Sequence, residues 1–274
     1  MAGLLSAEGH VTISPGKVEL GQGILTTLSQ IAADELDVGF GRIRVLAAAT
    51  PDSPDEAVTS GSLSTQDSGS ALRHACAAAR AIFIEVVAQR TGISPDRIAI
   101  VDGTFIGPAG PIGSYWELAD QALLDTEASP DAKPKPAAAR RVVGQSVPRI
   151  DLPDKVFGAA RFVHDLRDAA TRGERSDVAR RGEAAASGQV LRRSFHRPYI
   201  AHASIGPSCA VARWQGETVE VWTHSQGPYN LRADLAKSLR IPAERVLVRH
   251  REGAGCYGHN GADDVALDAA LLAR

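Results

Sequence analysis

Apolar and polar positions change rhythm several times along this chain, and each change marks an element. Over residues 10–14 every second position is apolar (Val11, Ile13), the period of a half-buried strand. Pro15-Gly16 reads as a turn, and residues 17–20 as a returning strand. After Gly21-Gln22-Gly23 the rhythm becomes helical, with Ile24, Leu28, Ile31 and Leu36 at helix spacing. Residues 42–48 read as the next strand. A polar, acidic stretch (50–56) and a cluster of small and hydroxyl residues (59–69) lead into a long helix. Its buried stripe is expected to carry Leu72, Ala75, Cys76, Ala79, Phe83, Val86 and Val87. Gly92 suits that helix's C-terminus. Asp102-Gly103 suits a hairpin turn within 98–106, and Ser114 with Glu117 the start of a short helix through Leu124.

The pattern then lapses. Residues 125–136 are dominated by Pro, Lys, Ala and Asp and read as a linker. Residues 141–162 are short of core positions, and 167–187 hold almost no large apolar side chain, so that stretch is expected to be exposed or poorly ordered. Regularity returns with strands at 190–195, 209–214, 218–223 and 245–250, and a helix over 231–239. A glycine-rich turn follows at 253–258, and an alanine/leucine helix from 263 onward. The expected fold class is α+β, small mixed sheets with helices packed on one side, in two lobes. The first lobe spans 1–125, a linker and reduced connecting domain 126–189, and the second lobe 190–274. Both halves share the order strand, glycine-rich turn, helix.

Composition narrows the function. A chain of 274 residues, 44% hydrophobic and with net charge −2, suits a soluble globular protein of one or two domains. Acidic residues (32) outnumber basic ones (30), and no basic stripe alternates with aromatics, which argues against nucleic acid. No apolar run reaches the length of a membrane span, and the first ten residues lack the charged-then-apolar order of an export signal. A cytoplasmic location is the expectation. Cys76, Cys209 and Cys256 lie far apart with no Cys-x-x-Cys, so zinc or iron–sulfur ligation by this chain is not expected. Cys76, on an apolar helix face, reads as a buried reduced thiol. The eight histidines are scattered, and no Gly-x-Ser-x-Gly elbow or phosphate fingerprint occurs. Asp263-Asp264 reads as a helix cap.

Three loops remain: Gly21-Gln22-Gly23, the hydroxyl cluster over 59–69, and the glycine turn over 253–258. Glycines admit a ligand close to the backbone, and a following helix offers free N–H groups and partial positive charge. Hydroxyls and the amides of Gln22, Gln66 and Gln226 both donate and accept. Such loops suit an anionic, hydrogen-bond-rich cofactor. Each alone is equally compatible with a plain turn or a solvated loop ending in a cap.

Their order and wording carry a resemblance. Residues 16–23 and 30–36 are similar to the Gly-Gln-Gly signature of the molybdenum hydroxylases, the aldehyde oxidase/xanthine dehydrogenase superfamily of oxidoreductases. Residues 59–69, followed by Ala71-Leu72-Arg73, resemble that family's serine-rich pterin loop. Trp222-Thr223-His224-Ser225-Gln226 resembles its Thr-Gln loop, and 253–258 its glycine turn. The wording is nearest to the large subunits of the isoquinoline 1-oxidoreductase and nicotinate dehydrogenase type. The resemblance implies a molybdopterin-type molybdenum cofactor held between two lobes. It implies hydroxylation of an aldehyde or N-heterocycle with water as oxygen source, and a small partner subunit that carries iron–sulfur centres. In the same way, Gln22 and Gly23 would contact the pterin, and Gly61, Ser62, Leu63 and Ser64 the pterin or its phosphate tail. Gln226 would lie near an oxo or sulfido ligand of molybdenum, with Tyr257 and Gly258 beside the metal.

The chain departs from the family in three respects. It is far shorter, the connecting domain is reduced to the bridge over 166–187, and no Gly-x-Gly-Glu context supplies the family's catalytic carboxylate. No catalytic residue is therefore assigned. The expectation is a truncated cofactor-binding portion, completed by another chain carrying the missing C-terminal half. The alternative is a non-catalytic remnant or interaction module that binds no cofactor.

Overall fold

A computed structural model of the chain describes residues 5–119, 122–166, 202–261 and 263–274. The strand expected at 190–195 and the stretch 167–187 lie outside the described residues. The described part is α+β, with two mixed three-stranded sheets and one antiparallel.

The first sheet joins β1 (Leu5–Ser6), β2 (His10–Ile13) and β3 (Ile43–Val45). β1 and β2 pair antiparallel, while β3 returns parallel to β2 after the crossover helix α1 (Ile24–Leu36). The long helix α2 (Asp67–Thr91) packs on α1 and ends at Gly92, which holds φ 70° as expected. Ala75 is exposed, whereas Cys76, Phe83 and Val87 face the core. Antiparallel β4 (Ala99–Val101), β5 (Thr104–Gly107) and β6 (Gly110–Ser114) form the second sheet. Asp102 and Gly103, both at positive φ (48° and 79°), make the hairpin turn. Tyr115, fully buried, meets Phe83 and Phe105 edge-on, 5.1 and 5.0 Å away. The helix expected from Ser114 is only a pair of 3₁₀ turns.

Past a short helix α3 (Leu152–Val156), the second lobe repeats the first. β7 (Ala210–Gln215) and β8 (Thr218–Thr223) form a hairpin, α4 (Pro228–Leu239) crosses over, and β9 (Val246–His250) returns parallel to β8. α5 (Val265–Leu272) then covers β7 and β8. Gln-Gly stands immediately before the crossover helix in both lobes, as Gln22-Gly23 and Gln226-Gly227. After the helix the match is closer still. Asp37 and Arg240 end α1 and α4 at φ 53° and 57°, an inward apolar residue follows (Val38, Ile241), and a 3₁₀ turn closing on Arg42 or Arg245 leads into the strand. The exit from α2 uses the same device: Gly92, Ile93, then the turn Pro95–Arg97. The two lobes meet where chain beyond β3 pairs antiparallel with β9, through Thr50 N–H to Val248 O (2.9 Å) and His250 N–H to Ala48 O (2.8 Å).

Residues 17–20 form no strand. Their N–H groups are claimed by side chains instead: Glu56 accepts from Gly16 and Lys17, and Thr59 Oγ1 from Val18.

The described residues of 126–166 lie along α1 and then reach the second lobe. Asp34 accepts the N–H groups of Arg141, Val142 and Val143 at 2.7–2.8 Å. Glu35, with no exposed surface, binds Arg73 (2.7 Å) and Arg80 (3.3 Å) of α2 and the N–H of Lys135. Val163 N–H finally bonds Glu252 O beside β9. A buried carboxylate answered by two guanidinium groups leaves both cations unpaired when removed. Glu35→Ala is expected to lower stability by about 3–5 kcal/mol, read from urea midpoints; a loss under about 1 kcal/mol would rule out that role.

Candidate functional site

The Gly-Gln-Gly turn brings its own anion. Glu19, 3% exposed, accepts from Gly21 N–H (2.8 Å), Gly23 N–H (2.9 Å) and, through its second oxygen, Leu25 N–H (3.3 Å). Three of the donors around the start of α1 that a bound anion would use are therefore satisfied from within. Gln22 folds back too, donating from Nε2 to Val18 O (3.0 Å) and accepting from Leu20 N–H. Arg149 donates to Gly21 O (2.9 Å), and a Cβ on Gly23 would sit 3.5 Å from its guanidinium carbon. Gly23, at φ 79°, thus serves a left-handed turn under an arginine.

Four loops converge through one glutamine. Gln226, 5% exposed, exchanges hydrogen bonds with Thr59: its backbone carbonyl accepts Thr59 N–H (2.8 Å), and its Nε2 donates to Thr59 O (2.9 Å). Its own N–H donates to Asn260 O (3.2 Å), two residues beyond the glycine turn. Thr59 Oγ1 in turn accepts Val18 N–H (3.0 Å), and Val18 O accepts the Gln22 amide. A continuous path therefore joins Gln22, Thr59, Gln226 and Asn260, crossing between the lobes.

Flanking that path, which is buried from Thr59 to Asn260, the remaining expected residues form a largely exposed rim. Gly61, Ser62 and Leu63 are exposed, Ser64 half-buried, and Tyr257 and Gly258 exposed. Ser62 and Tyr257 hold positive φ (60° and 52°), sparsely populated backbone for residues with side chains. Among the described residues, several atoms next to the path have no hydrogen-bond partner: Gln226 Oε1, Asn260 Oδ1 and His224 Nδ1. Asn260 is oriented by donating Nδ2 to Asp263 (3.0 Å), which turns its oxygen away from Asp263. His224 accepts Cys209 N–H at Nε2 (2.9 Å), so Nδ1 carries the proton, and burial lowers its pKa. Gly253 packs against that ring, where a Cβ would come within 2.6 Å.

Sequence reasoning overlooked Glu19, Asn260 and His250 as parts of this region. A lone histidine at a strand end carries no recognisable spacing; Gln-Gly before both crossover helices was the available clue. His250 is fully buried between the lobes, with Nε2 2.9 Å from Glu19 O and Nδ1 3.1 Å from Ser225 O. Burial pushes its pKa down to about 4. A cleft between the lobes, lined by Lys17, Glu19, Arg161, His250 and Arg251 among others, contains none of the nine residues expected at the cofactor. No described group of His, Cys, Asp and Glu has the arrangement of a metal site, and no described helix is long and apolar enough to cross a membrane. Cys76 is buried and free, its thiol pushed up to about 12 mainly by burial, in keeping with an inert core residue.

Residues 4–146 and 163–274 each match a family model described as a molybdopterin cofactor-binding domain. The chain is 31% identical to one of the subunits of nicotinate dehydrogenase from Pseudomonas putida, over 98% of this chain and 30% of that protein. It is 26% identical to a membrane-bound aldehyde dehydrogenase (pyrroloquinoline-quinone) of Gluconacetobacter polyoxogenes, over 60% of this chain and 22% of the relative. The beta subunit of isoquinoline 1-oxidoreductase from Brevundimonas diminuta is 25% identical, over 59% and 26% respectively. The matched region spans less than a third of each relative.

Because His250 stays neutral in the fold, its proton uptake is deferred from pH 6.5 in the unfolded chain to about 4. Its contribution is present above pH 6.5 and lost as pH falls toward 4, about 3 kcal/mol in all. His250→Gln is expected to flatten the decline in urea midpoint between pH 7 and pH 4.5; an unchanged slope would refute the assignment.

Proposed function

Since the chain belongs to the molybdopterin cofactor-binding domain family, we propose that it is the cofactor-holding portion of a molybdenum hydroxylase of the isoquinoline/nicotinate oxidoreductase type. The observation that supports this most is the path from Gln22 through Thr59 and Gln226 to Asn260, which joins three motif loops to the chain just after the glycine turn at the lobe junction. When bound, the cofactor would supply a molybdenum centre able to take two electrons from an aldehyde or N-heterocycle, with water as the oxygen source.

The residues present fit such a group. Buried atoms left without partners are costly unless a ligand answers them, and Gln226 Oε1 and Asn260 Oδ1 are two acceptors of that kind. Their orientation refines the role expected of Gln226. Its donor nitrogen is engaged by Thr59 O, so it would present an acceptor and meet an N–H or O–H of the cofactor. His224 Nδ1–H adds one donor. The exposed loop from Ser60 to Ser64 offers hydroxyls and N–H groups to the pterin or its phosphate, and Tyr257 and Gly258 would close the opposite side. Gln22, which is exposed, would act from a turn already held by Glu19 and Arg149, with the buried Gly23 shaping that turn beneath the arginine.

Activity of the whole enzyme would need more chain than this. The family's carboxylate base has no counterpart in the sequence, and a small iron–sulfur subunit would have to carry electrons away. The test is molybdenum per chain by elemental mass spectrometry, on protein from a host that makes the cofactor. Near-stoichiometric metal is expected, falling about ten-fold or more in Gln226→Leu and in a variant with 59–69 replaced by a Gly/Ser segment. An empty chain, beside a loaded intact relative, would leave a remnant or interaction module in its place.

A further inference from the structure

The cleft between the lobes has a volume of about 220 Å³, and the charges on its wall do not all find partners. Its three acids are answered. Glu19 takes two glycine N–H groups and stands 3.9 Å from Arg149. Glu252 binds Lys155 and Arg161 (3.4 Å), and Asp154 binds Arg161 (2.7 Å). Arg149 and Lys155 lie outside the wall, so the acids are neutralised partly from behind. His250 contributes no charge near neutral pH because burial keeps it unprotonated, although its ring nitrogens face the carbonyls of Ser225 and Glu19.

Two cations on the wall remain. Lys17 is 4% exposed, and its ammonium donates to Glu56 O (2.6 Å) and Val58 O (3.1 Å). An ammonium has three protons, so one is left over, and no described carboxylate lies within 4.0 Å of it. A buried charge without a counter-ion is expensive. Arg251, at the exposed edge of the cleft, likewise has no carboxylate partner among the described residues. The rest of the wall is small and apolar: Leu25, Ala47, Ala48 and Ala160.

We propose that this cleft binds a small carboxylic acid, its carboxylate between Lys17 and Arg251 and its apolar body against Leu25 and the alanines. Anion charge answers the two unpaired cations, and the apolar half of the wall favours a hydrocarbon body over a bare inorganic anion. The site is distinct from the rim formed by the serine-rich loop and the glycine turn, and it requires no cofactor.

Calorimetric titration of the full chain with benzoate, benzamide and inorganic phosphate tests the assignment. Benzoate is expected to bind, with benzamide about ten-fold weaker or worse because it lacks the charge. Lys17→Met and Arg251→Gln should each weaken benzoate by about ten-fold. Circular dichroism checks the fold of the Lys17 variant; if it does not fold, Arg251→Gln, altered at an exposed position, decides alone. Absent benzoate binding, benzamide as tight as benzoate, or full affinity in Arg251→Gln would overturn the site. Phosphate binding more tightly than benzoate would overturn the carboxylic-acid class.

Discussion

Two neighbouring carboxylates on one helix organise most of the first lobe. Asp34 and Glu35 are both buried, a position tolerable for charge only when every oxygen is answered. Glu35 draws in Arg73 and Arg80 and so fixes how α2 lies on α1. Asp34 gathers three successive N–H groups from a stretch more than a hundred residues later, and so lays residues 133–150 along the same helix. Residue 149 is thereby delivered to the Gly-Gln-Gly turn. There Arg149 joins Asp151, whose carboxyl it holds well below the usual carboxylate range with help from Lys155. The Gly-Gln-Gly turn thus owes its cover to charges buried one helix-length away.

The duplicated architecture explains why the motifs come in pairs. Each lobe runs hairpin, Gln-Gly, crossover helix, left-handed cap, 3₁₀ turn, parallel strand, loop, helix. The hydroxyl-rich loop after β3 and the glycine turn after β9 therefore hold equivalent places. Antiparallel contact between the chain just beyond β3 and β9 sets them on either side of Gln226. The paired positions are not chemically alike: Glu19 satisfies the start of α1, whereas Pro228 dispenses with one N–H at the start of α4.

Much of this was legible where local periodicity and burial agree. β2, β8, β9, α1, α2 and α4 follow from period-two or helical spacing, and Gly92 and Asp102-Gly103 from the backbone conformations they permit. The stretch 17–20 misled because its alternation is real while its backbone partners are side chains of Glu56 and Thr59. The composition of 125–136 suggests a free linker, and nothing local reveals that Asp34, Asp37 and Glu35 await residues 135–143. At the site, the four motifs were visible as wording. Thr59 as the central partner of Gln226, Asn260 as a second buried amide and Glu19 as a built-in cap depend on contacts across the lobes or on turn geometry. The repeat shows in the sequence only as a shared order of strand, glycine-rich turn and helix, because one helix is a residue longer than the other, which breaks the register between its two ends.

The contacts that build the site are also among those that join the most distant parts of the chain. Gln226 and Thr59 are separated by 167 residues, and His250 and Glu19 by 231. Closing loops of that length yields nothing until both ends are already shaped, so such contacts form late. Each lobe can bury its own core first, around α1 and α2 or around β8, β9 and α4. The region where the loops converge is therefore the last part of the molecule to come into being. A nascent chain would hold two finished halves before it had any place to receive a cofactor, which sets assembly of the lobes ahead of insertion in time.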